Sequence, residues 1–158
     1  MKRITLTLAA FLVTAPFAFA QTAATPAAPA EAPAVVIDGQ TAFTAECSSC
    51  HMAFPARFLP ATSWEAMMGD LKNHFGEDAS LDATTTAAIT EYLVANAGKP
   101  GKDTTLADGK PLLRITERRW FVGEHKGEVS AKSMVKAGTM SNCTACHKGA
   151  ANGNFDDD

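Results

Sequence analysis

Two pentapeptides carry residue types at a spacing that fits one chemistry: Cys47-Ser48-Ser49-Cys50-His51 and Cys143-Thr144-Ala145-Cys146-His147. In each, two thiols separated by two residues can add across the two vinyl groups on one edge of a porphyrin. The histidine that follows is carried beneath the ring, where an imidazole nitrogen reaches the iron. The pattern implies covalent haem attachment. The two copies use all four cysteines and two of the four histidines, so two haem c groups are expected. Cys47, Cys50, Cys143 and Cys146 would attach them, with His51 and His147 as proximal ligands.

Other uses of the same residues explain less. A structural zinc site would pair the two C-x-x-C knuckles, but 92 residues lie between Cys50 and Cys143, far beyond finger spacing, and both knuckles carry the extra histidine. A thioredoxin-like pair needs a strand-to-helix turn, and neither motif follows a β-branched run. Disulfides give no reason for a histidine after each pair.

The remaining histidines, His74 and His125, fall one in each half of the chain. They are the expected second axial ligands, His74 for the haem at Cys47 and Cys50 and His125 for the haem at Cys143 and Cys146, with crossed ligation as the alternative. Both irons would then be bis-histidine, hexacoordinate and suited to electron transfer. Met67, Met68, Met134 and Met140 compete, but methionines at helical spacing more often pack than ligate.

The elements that must position these residues are helical. Thr41 to His51 reads as a short helix carrying Phe43. Thr62 with Glu65 reads as a capping box, opening a helix with Trp64, Met67, Met68, Leu71 and Phe75 on one face. On such a helix His74 shares the direction of Met67. A further helix is expected over Ala83 to Ala97, capped by Asp82 or Thr84 and ended by Gly98. Thr116 reads as the cap of a short helix holding Trp120, Phe121 and His125, and Ser130 to Ala137 as one more. Pro55 and Pro60 keep the segment between them irregular, wrapped on the first haem. Arg57 there reads as a propionate partner or a solvated side chain.

The fold class expected is mainly α, in two small haem-centred lobes, the N-terminal one like a class I cytochrome c. Residues 1–20 read as a signal peptide, with Lys2 and Arg3 before a short apolar run and Ala18-Phe19-Ala20 as the cleavage site. Residues 21–40 form an Ala/Pro-rich linker, 41–98 the first haem lobe, 99–111 a connecting loop and 112–158 the second haem lobe. No apolar run reaches the roughly 20 residues that span a bilayer. A soluble, exported, periplasmic, monomeric protein is expected. Without Lys2 and Arg3 the formal charge of −3 becomes −5, which argues against nucleic acid and for a redox partner with a basic or mixed face.

Longer runs carry a resemblance. Glu46 to Pro55, Leu59 to Trp64, Asp70 to Glu77, Tyr92 to Ala97, Arg114 to Glu117 with Trp120, Phe121 and His125, and Asn142 to Ala150 together resemble the small bacterial dihaem cytochromes c of the DHC type. The resemblance implies two bis-histidine haems and an electron carrier. It also implies an oxygen-binding monohaem cytochrome as acceptor and a membrane cytochrome b as possible donor. The competing class is a redox enzyme reducing peroxide, nitrite or oxygen at one open iron, which would leave His74 or His125 without a ligand role.

Overall fold

Five α-helices and five single-turn 3-10 segments make up the fold, with only isolated β-bridges among the described residues. The computed structural model describes residues 36–156. Residues 1–20, expected as a signal peptide, and the expected linker up to residue 35 lie outside the described residues. No described helix is long and apolar enough to cross a membrane.

Helix α1 spans Gly39–Cys47, so Gly39 and Gln40 are helical and not linker. The cause is Asp38: its Oδ2 accepts from the Thr41 backbone N–H at 2.8 Å and from the Thr41 hydroxyl, satisfying donors that a helix start leaves unpaired. Helix α3, Ala83–Ala95, is capped as expected by Asp82, whose Oδ1 accepts from Thr84 N and Thr85 N at 2.9 and 3.0 Å. α1 crosses α3 where Gly39 meets Ala88. A Cβ on Gly39 would sit 2.3 Å from the Ala88 carbonyl oxygen, so only glycine permits this approach.

Helix α2 spans Ala61–Met68 and packs on α3. Its N-cap is Pro60, with no side-chain cap, so the expected Thr62–Glu65 capping box does not form; Pro60 already sets the entry backbone. The expected continuation to Phe75 also fails. Asp70 accepts from Asn73 through both its backbone oxygen, 3.0 Å, and Oδ1, 2.6 Å. This local turn, following Gly69, outcompetes helix propagation.

The main core unites Phe43, Ala56, Leu59, Trp64, Met68, Ile89, Leu93 and Leu112. Leu59, Ile89 and Leu93 are at most 1% exposed, each stabilising the fold by about 1.5–3 kcal/mol on the transfer scale. Trp64 Nε1 donates to the Ala56 carbonyl at 2.7 Å, so the indole is satisfied inside. Leu112, at the start of the segment expected to form the second lobe, belongs to this core, with Ile115 packed against it. Buried Ser63 donates to the Leu112 carbonyl at 2.7 Å and fixes that position.

Beyond Leu112 the chain supplies helices α4, Arg119–His125, and α5, Ala131–Ala137. α4 is entered from a 3-10 turn at Ile115–Glu117 with Arg118 at its N-cap, so Thr116 is not the cap. The reason is Asp103, whose Oδ2 accepts from Arg118 Nε at 2.9 Å and from the Arg119 backbone N–H at 2.7 Å, supplying the capping oxygen from the connecting segment. In α5 the Ser130 hydroxyl accepts from Ser133 N at 3.1 Å. From residue 113 to 156 only Phe121 and Ala150 among the apolar residues are buried.

Candidate functional site

The first motif begins on the last residue of α1. Cys47 lies against the main core, and Cys50 and His51 follow in an exposed turn. Burial, with the charge of Glu46 beside it, pushes the Cys47 thiol up to about 11. It stays a neutral thiol on an apolar edge, an environment that also suits an uncharged thioether. The His51 Nδ1 lies 2.7 Å from the Met52 carbonyl oxygen. A carbonyl only accepts, so the proton sits on Nδ1 and the Nε2 lone pair is left for a metal. The ring stacks on Phe54 at 4.8 Å and 25°.

His74 stands 6.1 Å from His51, centroid to centroid, with planes 22° apart. It reaches that place through a turn instead of a helix face. Phe75 and Gly76 have φ of 54° and 106°, the two central positive values of a type I′ turn, closed by Glu77 N donating to the His74 carbonyl at 3.1 Å. A phenylalanine in the left-handed region costs on the order of 1–2 kcal/mol. Contacts hold it there: the Phe75 ring meets His74 edge-on at 4.9 Å, and the Arg114 guanidinium lies over its face at 4.3 Å. Burial and the neighbouring His51 lower the His74 pKa, favouring the neutral imidazole that can donate a lone pair.

The second motif forms a 3-10 turn, Cys143–Ala145, in which His147 N donates to the Cys143 carbonyl at 2.8 Å. Asn142 Nδ2 donates to Ala137 O at 3.0 Å and ties the turn to the end of α5. Burial raises the Cys143 thiol as it does Cys47. His125, the last residue of α4, stands 6.0 Å from His147 with planes 85° apart. Its Nδ1 is 2.8 Å from the Phe121 carbonyl, again leaving Nε2 as the donor atom.

Two imidazoles on one metal should have ring centres about 6 Å apart, from a metal–nitrogen length of about 2 Å and about 1 Å from nitrogen to ring centre on each side. Both pairs match. Each pair gathers a proximal candidate and the spare histidine nearest in sequence, His51 with His74 and His125 with His147. Two of the competing methionines go elsewhere: Met68 is 7% exposed in the main core and Met67 packs against it. None of the four cysteines is in a disulfide. Among the described residues no three His, Cys, Asp or Glu side chains converge. The residues present fit a haem at each motif.

Several supporting residues escape a reading of the motifs. Phe54 is three positions after His51 and Phe121 is four before His125, so only the helical offset in α4 hints at a partnership. Phe155 meets His147 edge-on at 5.9 Å and Phe58 at 5.0 Å, and Phe58 also touches Trp120 at 5.1 Å. Arg57 is exposed and has specific partners. It donates to the Gly153 carbonyl at 3.2 Å and lies over both Phe58 and Phe155.

Comparison with known proteins gives a consistent result. The family model for dihaem cytochrome c matches residues 43–155. A dihaem cytochrome c from Rhodobacter sphaeroides is 50% identical with a TM-score of 0.66, covering 73% of this chain and 95% of that one. A second structure, of DHC purified from Rhodobacter sphaeroides, is 52% identical with a TM-score of 0.64, covering 73% and 96%. The dihaem cytochrome c of Shewanella baltica OS155 is 41% identical with a TM-score of 0.62, covering 76% and 89%. No curated protein sequence matches.

Proposed function

We propose, from the premise that the chain belongs to the dihaem cytochrome c family and is a dihaem electron-transfer protein with two haem c groups, that it is a periplasmic carrier whose two irons are each closed between two histidines. His51 and His74 serve the haem on Cys47 and Cys50. His125 and His147 serve the haem on Cys143 and Cys146. The observation that carries this reading is the pair of centroid separations, 6.1 and 6.0 Å, in a chain with four histidines.

Each haem, when bound, supplies an iron that gains and loses one electron. The chain's residues decide what else that iron can do. Two imidazoles on each iron leave no position for a substrate, which favours a carrier over an enzyme. The hydrogen bonds of His51 to Met52 O and of His125 to Phe121 O keep Nε2 unprotonated and fix the ring plane. Little moves when charge changes, which keeps the reorganisation accompanying electron transfer small.

The second half buries few apolar side chains of its own, so a haem there would complete a core around Phe121 and Ala150 and make residues 112–158 a haem-centred lobe beside that of residues 41–98. Residues 1–20 act as the export signal, and the mature chain works as a monomer. A monohaem cytochrome is its acceptor and a membrane cytochrome its donor, the acidic mature chain fitting a partner with basic or mixed charge.

The test is an optical and EPR spectrum of the mature haem-loaded protein, with carbon monoxide added to the reduced form. Two low-spin bis-imidazole signals and no response to carbon monoxide are expected. A high-spin component, or gas binding at half the haem, would overturn the closed-carrier reading in favour of an enzyme with one open iron.

A further inference from the structure

The two histidine pairs have nearly the same separation and very different twist. The ring planes of His51 and His74 are 22° apart, and those of His125 and His147 are 85° apart. Each orientation has a visible cause. His125 lies flat on the Phe121 ring, 4.0 Å and 19°, and donates its Nδ1 proton to the carbonyl of the same residue at 2.8 Å. Phe121 thus grips one imidazole at two points. It is itself 5% exposed and met edge-on by Trp120 at 5.8 Å and 73°, so its own ring is held against rotation. Across the pair, His147 is set by the edge of Phe155, which Phe58 and Arg57 hold from the other side.

We propose that Phe121 is a positioning residue that sets the His125 imidazole perpendicular to that of His147, and so gives the second haem an electronic structure distinct from the first. The inference rests on the bis-histidine reading. An imidazole donates π density only along the normal to its ring. Two parallel rings raise the same iron dπ orbital and split the pair; two perpendicular rings raise both alike and leave them nearly equal in energy. In low-spin ferric iron the single hole occupies this pair. A large splitting quenches orbital momentum and gives a rhombic EPR signal. Near-degeneracy retains it and gives one very large g value. One protein therefore carries one haem of each kind, and the surrounding contacts decide which.

The test is low-temperature EPR of the oxidised, haem-loaded protein. The wild type should show two low-spin signals of equal integrated intensity, one rhombic and one with a single large g value. In Phe121→Leu, which keeps the carbonyl and removes the stacking ring, the large-g signal should move towards the rhombic one while the other is unchanged. Phe121→Tyr keeps both grips and should retain the large-g signal unshifted. If Phe121→Leu does not load its second haem, Trp120→Leu takes its place: it removes the ring that wedges Phe121 together with that ring's contact to Phe58, and a shifted large-g signal is expected there too. Two rhombic low-spin signals in the wild type, or a large-g signal unmoved in the loaded Leu variant, would overturn the proposal and leave bis-histidine ligation intact. A high-spin signal would instead overturn the ligation itself.

Discussion

At the scale of single residues, the proposed ligation uses four imidazoles, and ordinary backbone carbonyls select the donor atom of two of them, His51 and His125. Met52 O and Phe121 O each lie within 2.8 Å of a ring Nδ1, so Nε2 is the free donor without any carboxylate partner. Removing a distal ring tests this arrangement directly. His74→Ala should open one iron to carbon monoxide and His125→Ala the other, each at half of the total haem, with both groups still covalently attached through the cysteines. Optical titration of the reduced proteins with the gas reads the outcome, and a variant that binds none would return its histidine to a packing role. Met67→Leu and Met134→Leu should leave the spectra unchanged, since a volume-conserving swap disturbs packing little.

At the scale of elements, the same substitution should act in opposite directions at two glycines. Gly76 has φ of 106° in the turn after His74, with no atom within 4 Å of where a Cβ would stand. Gly76→Ala therefore tests backbone strain alone and should destabilise by roughly 1–2 kcal/mol. Gly123 also has open space around it, but its backbone is helical. It lies two residues from both Phe121 and His125, hence on the face of α4 turned away from them. Gly123→Ala should stabilise by about 0.5–1 kcal/mol. Denaturant unfolding of the haem-loaded variants decides both signs. Local rules located the start of α3 through Asp82, whose cap acts within three residues. They misplaced the starts of α2 and α4 and the end of α2, because Thr62, Thr116 and the apolar spacing up to Phe75 were outcompeted by Pro60, by Asp103 and by the Asp70 turn.

At the scale of the whole molecule, the segments on either side of the connecting loop are joined by a few specific ties. Arg118, 7% exposed, donates through Nη1 to the Phe58 carbonyl at 3.1 Å and through Nε to Asp103. Asp103→Ala leaves this guanidinium without its carboxylate and should cost roughly 2–3 kcal/mol. Glu117→Ala, which removes an exposed partner of Arg114, should change stability by less than about 1 kcal/mol. The Asp103 carboxyl is held below its ordinary range, first by the Arg119 backbone N–H and then by Arg118. A depressed folded-state pKa gives stability that is fully present above the unfolded carboxylate value of about 3.9 and lost as pH falls through the folded value. The gap in unfolding free energy between wild type and Asp103→Ala should therefore be constant above about pH 5 and shrink below about pH 4.

The amino-acid sequence by itself determined the chemistry and its inventory. Covalent haem attachment needs two thiols and an imidazole within five consecutive residues, a requirement local enough to be read directly, and four histidines set against two motifs leave His74 and His125 as the distal candidates. Only the tertiary structure decided which imidazoles face each other, by what route, and at what twist. His74 arrives through a strained turn held by Phe75 and Arg114, and His125 is turned by Phe121 to stand across His147. The physical reason is one of range. Bonding patterns within a few residues are set by the chain's own geometry, whereas the angle between two rings is the sum of contacts from segments distant in sequence, whose relative energies no local pattern records.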